Sequence, residues 1–466
     1  MSTISSSTDP KHSSTDGARW RASTTVGTHF VVDVFSFVGI SLLPMLVVQL
    51  GLETYQKALL LALGAVTSGA VQPIVAWVSD RYDNRSIGTL GFIVAIACIG
   101  NLGAANTFNQ LLVLYCLGAM GIGAFHPIAA STVGHLAGSR RSLWIAYFFL
   151  AGMLGGIAGN IFTPRFVKMM SVQPDGTIDS AAGLDAIRWF IPVGLAFAVL
   201  LGIAIHKVGH RTHDAHATTV SWDRAERKAR WFSVRVLYTA NVFRFSVNMA
   251  LVYLFSEWAE HYARVQSLGL GLGADQIGIE ASRTNGYLQA SMQTGMGAGG
   301  ILLGIYLAAR FEKLVFIVFP IVGSLAVAVI PLVERWAPGS TLQWTMFAAV
   351  FTGVGFGALI PVSITLAQKL LPHRTSLASG LMLGGAWMLS FVGPLAAEVI
   401  QRGLASKPHT PELVTRLVGI LPTGIGEALM NGTGLEGAFY VTAVALFVSG
   451  CISFLLPNKL IVRCSR

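Results

Sequence analysis

Asp33 and Arg244 are formally charged residues standing well inside long apolar stretches of this chain. A charge at bilayer depth costs at least about 2.5–3.5 kcal/mol on insertion scales, so each must face a cavity, find a partner or do chemistry. His29 precedes Asp33 by four residues, a spacing that puts both on one helix face. A buried carboxylate holds or releases a proton according to the charges and water around it, and an imidazole changes charge near neutral pH. His126 stands directly before Pro127, where the proline ring frees a backbone carbonyl and opens local space. Asp33, His126 and His29 therefore read as a proton-carrying set. Arg244 reads as the partner of Asp33 from a facing helix, or as the group that binds an anionic cargo.

Arg244 shares its helix face with Asn241 and Asn248 through i,i+3 and i,i+4 spacings. Gln72, Asn160, Gln289 and Gln293 also lie in apolar runs, where an uncharged amide can hydrogen-bond a solute. With Arg244, these residues are the candidate substrate contacts. Cys98, Cys116 and Cys451 lie in apolar runs and Cys464 near the end, with no metal-ligand spacing among them. No cofactor or metal is expected.

The elements that must position these groups follow from composition. Of the 466 residues 53% are hydrophobic and only 12% charged, against about a quarter charged in an average soluble domain. Apolar runs fall near 28–50, 58–78, 87–106, 111–134, 143–166, 187–206, 234–258, 286–309, 314–332, 342–366, 377–400 and 438–456. Each can cross a hydrocarbon core of about 30 Å as a helix. The expected fold class is an all-α membrane protein with twelve transmembrane helices.

The net charge of +10 could suggest a nucleic-acid partner, but the placement of the charges excludes it: 21 of the 32 Lys and Arg fall in alternate loops and in both termini. By the positive-inside rule those segments are cytoplasmic. The expected location is the inner, plasma membrane, multi-pass, with both termini inside. The expected organisation is a disordered tail over 1–27, a six-helix bundle over 28–206, a cytoplasmic linker over 207–233 whose basic residues suit anionic headgroups, a second bundle over 234–458 and a tail over 459–466. The segments near 261–283 and 402–435 are long for external connections; a lid, short surface helices and spacers all remain open for them.

The two halves repeat. With an offset of 234, Gly121-Ile-Gly-Ala-Phe-His-Pro127 aligns with Gly355-Phe-Gly-Ala-Leu-Ile-Pro361, and the same register carries Arg140, Ser142 and Leu143 onto Arg374, Ser376 and Leu377. It then places Gly159-Asn160 over Gly393-Pro394. Parallel repeats of six-helix halves belong to rocker-type secondary transporters. The ladder Gly152, Gly155, Gly156, Gly159 reads as a surface on which helices pack closely.

Between the second and third runs, Ala76-Trp-Val-Ser-Asp-Arg-Tyr-Asp-Asn-Arg85 resembles the loop signature of the major facilitator superfamily, Gly-x-Leu-Ala-Asp-Arg-x-Gly-Arg-Arg. Asp80, Arg81 and Arg85 match it, while Ala76, Asp83 and Asn84 depart from it. The resemblance implies two pseudo-symmetric six-helix bundles and a gating role for Asp80, Arg81 and Arg85, to which the repeat-related Arg140 and Arg374 are added. Thr28-His-Phe-Val-Val-Asp33 with Pro44, Phe125-His126-Pro127, and Leu371-Pro-His-Arg-Thr-Ser-Leu-Ala-Ser-Gly380 are similar to the fosmidomycin-resistance branch. That likeness implies proton-driven export of drugs or small anionic compounds. The family's antiporter motif ends in Gly-Pro, whereas here helix 5 carries Gly159-Asn160.

The leading expectation is a transporter, not an enzyme: alternating access and proton-coupled export of a small organic solute or drug, with protons and the lipid bilayer as further partners and a monomeric state. Proton-coupled import of a small organic anion is the alternative within the same fold. A redox protein with His29 and His126 as haem ligands is the alternative of another class. No Gly-x-x-x-x-Gly-Lys-Ser/Thr loop occurs, which removes ATP as the expected driver.

Overall fold

Every apolar run becomes a helix in the computed structural model, which describes residues 10–82, 86–137, 140–206, 208, 222–407 and 412–465. The first half comprises α1 (Pro10–Ser41), continued past Leu42 by Leu43–Leu50, then α2 (Thr54–Tyr82), α3 (Ser86–Ile99), α4 (Phe108–Leu136), α5 (Arg141–Ser171) and α6 (Phe190–Ile205). The second comprises α7 (Arg224–Gln266), α8 (Ala274–Tyr306), α9 (Glu312–Val329) and α10 (Thr341–Phe356, continued by Leu359–Leu370). It ends with α11, running from Thr375–Gly380 to Val392–Arg402, and α12 (Gly434–Ile452). Among the described residues, nine helical segments are long and apolar enough to cross a membrane, while α3 is a shorter apolar helix of 14 residues. α7 and α8 fall outside that set because they carry the polar residues of the sequence reading, Asn241, Arg244 and Asn248 on one and Gln289 and Gln293 on the other.

α1 starts earlier than expected. Residues 10–27, read from the sequence as a disordered tail, are helical. The side chains of Thr25 and Thr28 bond back to the carbonyls of Arg21 and Thr24, and Arg21 donates to the carbonyl of His206 at the end of α6 (2.8 Å). Ala22 and Thr25 are buried against the bundle, so packing holds turns that polarity alone assigned to a tail. α7 likewise begins inside the expected linker and, at 43 residues, spans about 65 Å at 1.5 Å per residue, so it extends beyond a hydrocarbon core of about 30 Å. It runs on to Gln266, and α8 starts at Ala274, which shrinks the long 261–283 connection to one short loop. In the other long connection two short helices form, Glu412–Gly419 and Thr423–Asn431.

The sequence repeat reappears as equivalent helix contacts. A Cβ on Gly121 of α4 would collide with the Gly91 carbonyl of α3, and one on Gly355 of α10 with the Gly323 backbone of α9. Gly159 of α5 lies against the Val34 carbonyl of α1, and Gly393 of α11 against the Ser246 carbonyl of α7. Each pair is the image of the other under the exchange of halves. Lipid supplies no hydrophobic force between helices, so this backbone proximity and its dispersion energy hold each bundle together. Gly393→Ala is therefore expected to cost about 1–3 kcal/mol or more through overpacking, read as a lowered unfolding midpoint of the purified protein. Gly304→Ala, which meets nothing within 4 Å, serves as the neutral control.

The halves meet along two seams, α5 with α8 and α2 with α11. α11 is not a regular helix there: Leu381–Gly385 form a π-helical turn. A Cβ on Gly384 of that turn would lie 3.4 Å from the side chain of Gln72 on α2. Such single-turn bulges concentrate at working parts of helices.

Candidate functional site

The three side chains expected from the sequence to carry protons, His29, Asp33 and His126, converge inside the first half. One oxygen of the Asp33 carboxylate stands 3.5 Å from His29 Nε2, and the other stands 3.3 Å from His126 Nε2. Ser36 Oγ donates to the same carboxylate at 3.3 Å. The far nitrogen of each ring is spoken for: His29 Nδ1 donates to the Phe148 carbonyl (2.7 Å) and His126 Nδ1 to the Ile122 carbonyl (2.8 Å). A carbonyl only accepts, so each Nδ1 carries a hydrogen and each neutral ring turns a lone pair toward Asp33. Two lone pairs facing an acceptor-only carboxylate repel it. The contacts become attractive when a proton enters the cluster.

Neighbours lock this geometry. His29 stacks on Phe148 at 3.8 Å between centroids and meets His126 edge-on at 5.0 Å, with Phe125 beside both. That packing leaves no slot for a flat macrocycle between the two imidazoles, which removes the haem alternative. Gly152 of α5 is a necessary part of the pocket, because a Cβ there would come within 2.5 Å of His29 Cε1 and 2.6 Å of Asp33 Oδ2. One turn on, Gly156 faces Phe37 of α1 and the Gln293 amide of α8, and Gly155 and Gly159 lie on the α1 backbone. The glycine ladder thus packs α5 on α1, as expected, and also connects the carboxylate cluster to the α5–α8 seam.

Arg244 is not the partner of Asp33 in this structure. Its guanidinium donates to Asn241 Oδ1 (2.9 Å) and Ser453 Oγ (3.1 Å) and lies 5.2 Å from the Phe316 ring centre, and the residue is 1% exposed. The sequence placed Asp33 and Arg244 at similar depth, but rotation about the α7 axis points the guanidinium at α9 and α12, into the second half. Asn241 completes that network through Ser363 Oγ (2.9 Å) on α10, and Asn248 is buried on the same helix. In this structure Arg244 and Asn241 are thus engaged within the second bundle.

The remaining amides do gather at the seams. Asn160 of α5 is fully buried with neither its amide oxygen nor its nitrogen hydrogen-bonded, and Gln289 and Gln293 of α8 each keep an unpaired side-chain oxygen. Gln289 is otherwise held by the Val252 carbonyl and Asn285 (3.2 Å each). Gln72 sits on the other seam. Of the gating set, Arg85 lies outside the described residues, as does the side chain of Asp80. Arg81 is exposed, 5.5 Å from the Trp77 ring centre, and Arg140 and Arg374 stand exposed at the N-terminal ends of α5 and α11.

Sequence reasoning missed a second ionic cluster. Lys57 at the start of α2 is 1% exposed and bonds both Glu257 (2.5 Å) and Glu260 of α7, across the halves. Gln401 of α11 donates to Glu257 at 2.8 Å, and Arg402 lies 3.4 Å away. On the other seam Lys168 of α5 pairs with Glu280 of α8 (2.6 Å), and Asn285 donates to the Ile40 carbonyl (2.8 Å). Burial works against the charge of Glu280, but Lys168 and Arg283 outweigh it and hold the carboxyl below the usual range. All of these bridges sit at the end where α1 stops and α2 starts. The signal in the sequence is Glu257 and Glu260, three residues apart on one helix face at the end of an apolar run.

With two bundles, two seams and the glycine images established, the comparisons decide the family: residues 25–397 match the model of the Major Facilitator Superfamily. The chain belongs to that superfamily. It is a membrane transporter of the major facilitator type and not an enzyme. The fosmidomycin resistance protein of Escherichia coli (strain K12) is 22% identical over 395 residues, covering 85% of this chain and 88% of the relative. An uncharacterised transporter of the superfamily from Bacillus subtilis (strain 168), YfnC, is 22% identical over 377 residues, 79% and 83% of the two chains. Among solved structures, a bacterial homologue of the human lysosomal transporter Spinster, inward-facing and unoccupied, superposes with a TM-score of 0.65 at 17% identity over 97% of this chain and 98% of the other. A D-xylose–proton symporter gives 0.63 at 12% identity over 95% and 98%. These likenesses establish the major facilitator fold.

Proposed function

We propose that this major facilitator transporter is a proton-coupled exporter of a small organic solute or drug. The observation that carries the reading is the Asp33 carboxylate held between two imidazole nitrogens whose far sides are already bonded to carbonyls. Such a cluster is poised to bind one proton and share it among three sites. Asp33, His29 and His126 are the proton-coupling residues, and the Asn160 amide with the unpaired side-chain oxygens of Gln289 and Gln293 supplies the cargo contacts, joined by Gln72 when the seams part. Asn248 belongs to the same α7 surface. The glycine ladder of α5 is the mechanical link: a change in charge beside Gly152 alters how α1 sits on α5, and α5 forms the seam with α8.

In this reading the Lys57 cluster and the Lys168–Glu280 pair close the outer end, and the cargo path opens toward the cytoplasm. Asp80, Arg81, Arg85, Arg140 and Arg374 form the opposing inner gate. The protein works as a monomer in the inner membrane with both termini cytoplasmic. Fosmidomycin, named by one relative, is the first probe. A sensitised bacterial host expressing the chain is expected to tolerate more of it than the empty host. Proteoliposomes should show proton movement opposite in direction to the drug. Proton movement in the same direction would make the protein a symporter and overturn export by antiport. Unchanged tolerance and no drug-dependent proton signal would remove the drug from the proposal.

A further inference from the structure

A second feature of the molecule lies away from the carboxylate cluster and shares Arg374 with the proposed inner gate. Where the first turns of α7 lie against the α10–α11 connection, a cavity of about 390 Å³ is lined by Trp222, Arg227, Trp231, Leu371 and Arg374. Its two guanidinium groups come from different elements, and neither has an acidic partner among the described residues. The nearby acids are engaged elsewhere. Glu226 takes Arg230 (2.9 Å) and Arg463 (2.8 Å), Glu312 takes Lys369 (3.5 Å), and Asp223 caps α7 by accepting from the Glu226 amide (2.7 Å). Arg230 also lies 4.4 Å from the Trp222 ring centre and donates to the carbonyls of Lys369 (3.2 Å) and Leu370 (3.1 Å). That side chain ties α7 to the end of α10 and so keeps the cavity's two sides together.

We infer that this cavity binds a phosphate group, supplied by the headgroup of an anionic phospholipid. Two guanidinium forks with no acidic partner among the described residues match phosphate oxygens in geometry and charge. Tryptophan walls over the buried Leu371 suit the boundary between headgroup and acyl chain, where aromatic rings concentrate. Basic pockets between membrane helices take anionic headgroups for the same reasons. A bound lipid bridges Arg227 and Arg374, joining the start of α7 to the N-terminal end of α11.

The test uses the full chain, purified and delipidated, with phosphatidylglycerol, phosphatidylcholine and inorganic phosphate offered separately to wild type, R227Q/R374Q, R227K/R374K and the exposed neighbour K228Q. Retained lipid is read by native mass spectrometry and phosphate binding by thermal shift. The wild type is expected to retain phosphatidylglycerol over phosphatidylcholine, and R227Q/R374Q to lose about thirtyfold in that retention. The Lys pair should fall between, because charge remains while the fork is lost, and K228Q should match wild type. A thermal shift with inorganic phosphate that vanishes in R227Q/R374Q, without lipid retention, makes free phosphate the source. Equal binding of both lipids by the wild type, with no phosphate shift, overturns the site. So does R227Q/R374Q binding like wild type. Should the Gln pair not purify in folded form, the Lys pair and the wild-type lipid comparison carry the same decision.

Discussion

Asp33→Asn is expected to abolish proton-driven transport while leaving the protein folded. Asparagine has the same shape, keeps an oxygen for Ser36, and cannot take the charge that makes the cluster proton-responsive. Net transport driven by a pH gradient should fall by about a hundredfold or more, the usual scale for losing a positioned proton-transfer group. Exchange of labelled for unlabelled cargo at equal pH needs no net proton movement and should stay near the wild-type rate. Parallel loss of both would mean that Asp33 serves packing and not coupling, since buried charged groups also persist for structural reasons. The comparison of the two rates in proteoliposomes decides between them.

Lys57→Met is expected to produce the largest loss of stability. Lys57 is the buried cation between Glu257 and Glu260, and its removal leaves two largely buried carboxylates side by side with only the solvent-facing Arg402 and Arg264 as counter-charges. Breaking a buried pair by deleting one partner costs about 3–5 kcal/mol, because the surviving charge is stranded. The variant should unfold at a clearly lower temperature, and its outer seam should open. A cysteine at Ser282, whose hydroxyl accepts from the Met45 amide across the seam, would then label faster with a thiol reagent. Adding Glu257→Gln and Glu260→Gln to Lys57→Met removes the stranded charges and should restore most of the lost stability. A Lys57→Met protein as stable and as protected as wild type would show that the cluster holds nothing closed.

Much of the fold was legible before any coordinates. Apolar runs of about 20 residues impose helices because lipid offers no partner for a backbone amide, so each segment must satisfy its own. The aligned glycines pointed to equivalent packing in the two halves, and Gly121 on α3, Gly355 on α9, Gly159 on α1 and Gly393 on α7 supply it. His29 and Asp33 were legible for a similar reason: an i,i+4 spacing on one helix fixes proximity by local geometry alone. His126 was singled out by its place before Pro127, but that it meets Asp33 from another helix depends on how α4 packs beside α1.

Arg244 and Lys57 mark where sequence reasoning ran out. Depth along a helix follows from counting residues, while the direction of a side chain depends on the rotation of that helix against its neighbours. Arg244 turned into its own bundle, toward Ser453 and Phe316, and Asp33 found two histidines instead. Lys57 sat at the edge of an apolar run, where solvation was the simplest assumption, and burial came only from the approach of α7 and α11. By itself, then, the sequence determined the helices, their number and their repeat, because those depend on local hydrogen bonding and hydrophobic length. Which charges pair, and across which seam, was decided only by the tertiary structure, because pairing depends on contacts between residues as much as 237 positions apart.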